Sequence, residues 1–88
     1  MKTFKEQCEE HVRQIIKLHT SANEFGILST QERSGVVVRT YVHGESAETC
    51  AWLLVEFADW FGKTNVDTDE YSTDSGKIHF TYEIFFKN

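Results

Sequence analysis

Cys8 and His11 stand three residues apart, with His19, His43 and Cys50 further along, so the chain carries the sulfur and imidazole donors from which zinc sites are made. A structural zinc needs four such groups to converge on one point, and a single Cys-x-x-His followed by scattered partners does not enforce that. The expected role of these histidines is therefore at the margin of an apolar face, and no metal is assigned. Asp67, Asp69, Glu70 and Asp74 form an acidic stretch that brings calcium to mind. With Asp67 as the first loop position, Ser72 and Ile78 occupy the places where an EF-hand needs its glycine and its bidentate glutamate. An edge that is solvated or that meets a basic partner is the better reading.

Nucleophilic chemistry at Cys8 or Cys50 would need an adjacent base and a stabilised thiolate, whereas both cysteines fall on apolar arcs that favour the thiol. Glu56 and Asp59 could do acid or base work only if a cleft enclosed them. No phosphate-cradling glycine loop, GxSxG elbow or HExxH helix occurs in the chain. No catalytic residue and no cofactor are expected.

The most informative residue is Trp52. On a helical wheel through Ser46 to Gly62, Ala47, Cys50, Ala51, Leu53, Leu54, Phe57, Ala58, Trp60 and Phe61 fill one broad arc. Trp52 lies opposite, among Glu48, Glu56, Asp59 and Lys63. Burying it within the domain would turn the apolar arc to solvent, so it is expected to be a contact residue, with acids around it.

Eighty-eight residues make one domain, 1–88, and at this size folding buries only about 60 to 65% of the surface of the unfolded chain. A substrate-sized pocket would have little core to be carved from. Fourteen acidic residues against nine basic ones give a net charge of −5, the wrong sign for gripping a phosphate backbone. Direct nucleic-acid binding is not expected, whereas a basic protein surface is a suitable partner. Two cysteines make no secreted disulfide framework, although pairing between Cys8 and Cys50 stays open. The sequence has no apolar run of membrane-spanning length and no signal-peptide pattern, so a cytoplasmic protein without membrane contact is expected.

These residues must be positioned by two helices and four strands. Thr3-Phe4-Lys5-Glu6 reads as a capping box opening a helix, in which Phe4, Cys8, Val12, Ile15, Ile16, Leu18 and Ala22 recur at helical spacing. Glu9 to Arg13 is a favourable exposed pair. Ile27-Leu28 begins a short strand that stops in the polar run Ser29 to Gly35, and Val36 to His43 forms its hairpin partner. Gly44 ends the hairpin, Ser46 caps the second helix, and Gly62 stops it. Val66 to Tyr71 suits an exposed edge strand, and Ser72 to Gly76 a turn. In the last segment Ile78, Phe80, Tyr82, Ile84 and Phe86 alternate with Lys77, His79, Thr81, Glu83 and Lys87, with only Phe85 breaking the polar side.

The order αββαββ predicts an α+β two-layer sandwich, a mainly antiparallel four-stranded sheet with both helices on one face. Ser34-Gly35 with Thr40-Tyr41 recurs as Ser75-Gly76 with Thr81-Tyr82, but the alignment sets Arg39 against core-like Phe80, so the match is read as coincidence. The open face of the sheet should carry Arg39, Tyr41, His43, His79, Thr81, Glu83 and Phe85, with Tyr41 and Phe85 as anchors for a second copy or a partner.

These features point to a non-enzymatic acidic binding module, expected to act as a small inhibitor on a basic, nucleic-acid-handling protein surface, of the sort mobile elements use against host defences. Its expected contact residues are Trp52, Glu48, Glu56, Asp59, Asp67, Asp69, Asp74, Tyr41 and Phe85. The alternatives are a structural or regulatory homo-oligomer, such as a homodimer, assembled through the open sheet face, and a small enzyme or metal-dependent regulator.

Overall fold

The computed structural model describes residues 1–19, 25–42, 46–72 and 78–88, and the side chains of residues 70–72, 78 and 79 lie outside that description. Helix α1 spans Phe4–His19 and is followed by the hairpin of β1, Phe25–Gln31, and β2, Gly35–Val42. Helix α2, Ala47–Phe61, leads through a 3-10 turn at Lys63–Asn65 into β3, Val66–Ser72, and β4, Ile78–Lys87. All strand pairs are antiparallel, in the order β1-β2-β4-β3. The expected α+β fold with order αββαββ is the observed one.

Both helices start where their caps place them. The Glu6 amide donates to the Thr3 hydroxyl at 3.1 Å while the Thr3 amide donates to the Glu6 carboxylate at 3.3 Å, a reciprocal box. The Thr49 amide donates to Ser46 Oγ at 3.1 Å. Helix α2 ends at Gly62, whose φ of 92° is in the region glycine tolerates and whose amide donates to the Ala58 carbonyl at 2.9 Å.

Parity in the two central strands builds the core. Val36, Val38 and Val42 of β2 and Phe80, Tyr82 and Ile84 of β4 form one buried cluster with Cys8, Val12, Ile15 and Ile16 of α1 and Cys50, Leu53 and Phe57 of α2. Because the strand residues in that cluster alternate along each strand, both helices pack on the same sheet face. Phe57 meets Tyr82 edge-on at 5.2 Å and Phe61 meets Phe86 at 4.8 Å, so aromatic contacts join α2 to β4. Thr40 shares the buried face of β2, where its hydroxyl donates to the Gly26 carbonyl at 2.8 Å.

Several local expectations are corrected. Strand β1 runs from Phe25 to Gln31, because the ladder to β2 extends through Ser29, Thr30 and Gln31 and outweighs their polar side chains. Ser29 is buried and its hydroxyl donates to the Glu9 carboxylate, while Lys5 approaches Glu9 at 3.9 Å. Glu9 is thus drawn toward β1, and Arg13 pairs with Glu10 at 2.8 Å instead. That guanidinium holds the Glu10 carboxyl below its ordinary range.

Leu18 is 76% exposed and Trp60 is 59% exposed, although both fall on the apolar arcs of their helices. At about 100° per residue Leu18 sits about 120° round from the buried Val12, beyond the stripe a helix can cover on a sheet. Trp60 lies on the margin of its arc in the last turn of α2. There the His11 ring covers part of it at 5.5 Å, and the core proper is filled by Phe57. Cys8 and Cys50 are buried and are not joined in a disulfide. The four-residue repeat does not carry into the fold, since Tyr41 is exposed and Tyr82 is buried on the opposite sheet face. Ala22, His43, Gly44, Asp74, Ser75 and Gly76 lie outside the described residues. Among the described residues no helix is long and apolar enough to cross a membrane.

Candidate functional site

The residues expected to make contacts divide between two surfaces. The first is the outer side of α2 and the β3 edge beside it. Trp52 is 55% exposed and Val55, one turn on, is 49% exposed, so two large apolar side chains share the solvent side of the helix. Trp52, Val55 and Ala51 line a groove of about 430 Å³ with Glu48, Thr49 and His19. Val55 also lines a second groove of about 560 Å³, between Leu54, Ala58 and Asp59 of α2, Lys63, and Val66, Asp67 and Thr68 at the start of β3. An apolar strip therefore runs from Trp52 to the sheet edge, with Glu48, Asp59 and Asp67 along it.

Glu56 departs from its expected place among the exposed acids. Its carboxylate lies 3.3 Å from His19 Nε2, between the two helices, and is mostly covered. A wheel for α2 alone does not show this, because α1 occupies that flank. Val55 was missed by the sequence reading. The three-residue step from Trp52 to Val55 is the signal that finds it.

The second surface is the outward face of the sheet. The register sets Asp67 beside Glu83 and Asp69 beside Thr81, and these residues with Thr68 line a depression of about 310 Å³. Arg39 Nε lies 3.0 Å from Glu83 Oε2 in the middle of the face. Tyr41 and Phe85 point to this side, as do Val37 and the largely exposed Leu28. Tyr41 covers Gly26 and Phe85 covers Gly35, each aromatic lying where the glycine leaves room. Tyr41 and Phe85 are thus on the far side of the sheet from Trp52, and one rigid partner element cannot touch all the expected residues at once. Asp74 lies outside the described residues.

Burial pushes the Cys8 thiol up, with the Glu9 charge adding to it, which disfavours the nucleophilic thiolate. His11 stands edge-on to Phe61 at 4.9 Å as well as to Trp60, and His19 is turned to Glu56. Among the described residues no group of three or more His, Cys, Asp and Glu is placed to hold a metal ion. Comparison with protein-family models, curated proteins and solved structures gives no match for this chain.

Proposed function

We propose that this protein is a non-enzymatic binding module of the cytoplasm that docks its acidic α2 and β3 surface on a basic protein surface and so blocks or modulates that partner. The observation that carries the reading is the Trp52 side chain, 55% exposed in the middle of an amphipathic helix that already has a filled core face. A large indole at the surface gains most when a partner covers it, and Glu48, Asp59 and Asp67 beside the same strip suit basic residues at its rim. A basic surface of this kind is typical of proteins that handle nucleic acid. An inhibitor carried by a mobile element against a host defence is the instance that fits size and charge.

Affinity capture from a lysate of the source cells, with the Trp52→Ala protein as the control bait, tests this. The expected result is a partner that elutes as salt is raised and is lost from the control. Equal capture by both baits, or capture indifferent to salt, rejects it.

A second reading is supported by the other surface. Leu28, Val37, Tyr41 and Phe85 put apolar area on the outward sheet face, where a second copy could pack. Salt-insensitive self-association lost on Leu28→Lys would favour this reading.

A further inference from the structure

Strand β3 is bonded to β4 on one side, and among the described residues no strand pairs with its other side. An edge strand aims the N–H and C=O groups of alternate residues outward, where they can take up a further strand. The two sides of this edge differ in chemistry. Toward the helices lies the groove of about 560 Å³ walled by Leu54, Val55, Ala58 and Val66, which Asp59, Lys63, Asp67 and Thr68 also line. Toward the outer face lie Asp67 and Asp69, with Glu83, already paired to Arg39, one strand further in. The opposite edge strand, β1, has no such pair of surfaces, because α1 packs along its inner side and Ser29 is closed over by Glu9.

We infer that the β3 edge is the receptor for an extended segment of the basic partner, which joins the sheet as a fifth strand. Its alternate side chains are apolar toward the α2 groove and basic toward Asp67 and Asp69. A strand presents successive side chains to opposite faces, so a period of two in the ligand matches the two chemistries that flank this edge. Directly opposed residues on adjacent strands stand about 5 Å apart, which sets a lysine within reach of each aspartate. Lys63 also lines the groove, and its charge disfavours a basic side chain there. This rests on the reading that the partner is basic and adds the form in which it is recognised.

The test uses the full chain and a synthetic peptide, acetyl-Lys-Val-Lys-Leu-Lys-Val-Lys-amide, titrated by calorimetry. A peptide of the same composition in the order Lys-Lys-Val-Val-Leu-Lys-Lys keeps the charge but loses the alternation. The alternating peptide is expected to bind about tenfold or more tightly than the reordered one. N-methylation of its Val and Leu amides and N-methylation of its Lys amides should differ in effect by a similar factor, because alternate amides of a strand point to opposite edges. Ala58→Arg, which fills the groove, should weaken binding, as should Asp67→Asn with Asp69→Asn. Backbone amide exchange should slow along β3.

Equal binding of the two peptides, equal effects of the two methylation patterns, or no binding of the alternating peptide overturns strand addition. Trp52→Ala separates this from the broader reading. Peptide binding that survives Trp52→Ala supports the edge site, whereas a natural partner lost on Trp52→Ala together with no peptide binding rejects the edge site and leaves the Trp52 surface standing.

Discussion

The Tyr82 hydroxyl donates a 2.6 Å hydrogen bond to the Cys50 carbonyl oxygen, joining the centre of β4 to the first turn of α2 inside the core. A carbonyl oxygen has two lone pairs, so this bond adds to the helix ladder without competing with it. Tyr82→Phe keeps the ring packing against Phe57 and removes only the bond, and is expected to cost about 1 kcal/mol at neutral pH by denaturant unfolding. The pH dependence has a definite sign. Burial, then the neighbouring Cys50, raises the Tyr82 hydroxyl above its ordinary 10.0, and burial followed by Glu9 raises the Cys8 thiol above 9.0. For both groups the folded state holds its proton more strongly. Their stabilising contribution is full below the ordinary values and is lost as pH rises past them. Stability should fall above about pH 9, and Tyr82→Phe should flatten that fall above about pH 10. An alkaline limb identical in wild type and variant would contradict this.

Strand parity in β4 gives a second expectation. Phe80 is in the buried cluster, whereas Thr81, the next residue, faces outward. Phe80→Ala should destabilise by about 3 to 5 kcal/mol and Thr81→Ala by less than about 1 kcal/mol. Similar thermal shifts for the two would show that the inward face is misassigned.

The two glycines of the hairpin should respond differently to a methyl group. At Gly35 a Cβ would overlap the backbone oxygen of Phe86, and the Phe85 ring stands 2.9 Å from the same point. Backbone in a central strand cannot move aside without disturbing the ladder, so Gly35→Ala should cost about 1 to 3 kcal/mol. At Gly26 the obstacle is the far end of the Tyr41 side chain, not backbone. Gly26→Ala should therefore be milder, and Gly26→Ala with Tyr41→Ala together milder than the sum of the two. Additive losses in that double-mutant cycle would deny the contact.

These positions also show what a sequence can and cannot reveal here. Alternation from Ile78 to Phe86 and the caps at Thr3 and Ser46 act between near neighbours, so the central strand and both helix starts were legible. The strand order was not, because β2 pairs with β4 across α2 and no local pattern records that partnership. Leu18 and Trp60 stand at the margins of their arcs, beyond what the sheet covers, and Glu56 was misplaced because α1 packs on its flank. A wheel assigns each side chain to a helix face, while burial also depends on what packs on each flank of that face. Trp52 was legible because it stands opposite the arc. Val55 and the β3 groove emerge only when α2 is set beside an edge strand distant from the hairpin.

The two tryptophans supply the last expectation. Both are more than half exposed, so neither substitution by alanine should open a core cavity. Trp52→Ala should change unfolding stability by less than about 1 kcal/mol. Trp60→Ala should cost about 1 kcal/mol, because it loses the edge-on contact with His11. Their effects on association should diverge. Trp52 lies on the acid-rimmed strip, and its loss should weaken partner binding by about 2 kcal/mol or more. Trp60 packs toward α1, and its loss should leave affinity nearly unchanged. Fluorescence separates the two, since a Trp60→Phe protein reports Trp52 alone. Its emission should match a solvent-exposed indole in the isolated monomer and shift to the blue, with less quenching by acrylamide, when the partner is added. A blue-shifted, unquenched Trp52 in the isolated monomer, or a Trp52→Ala protein that folds and binds as the wild type does, would remove the basis for placing the contact surface on α2.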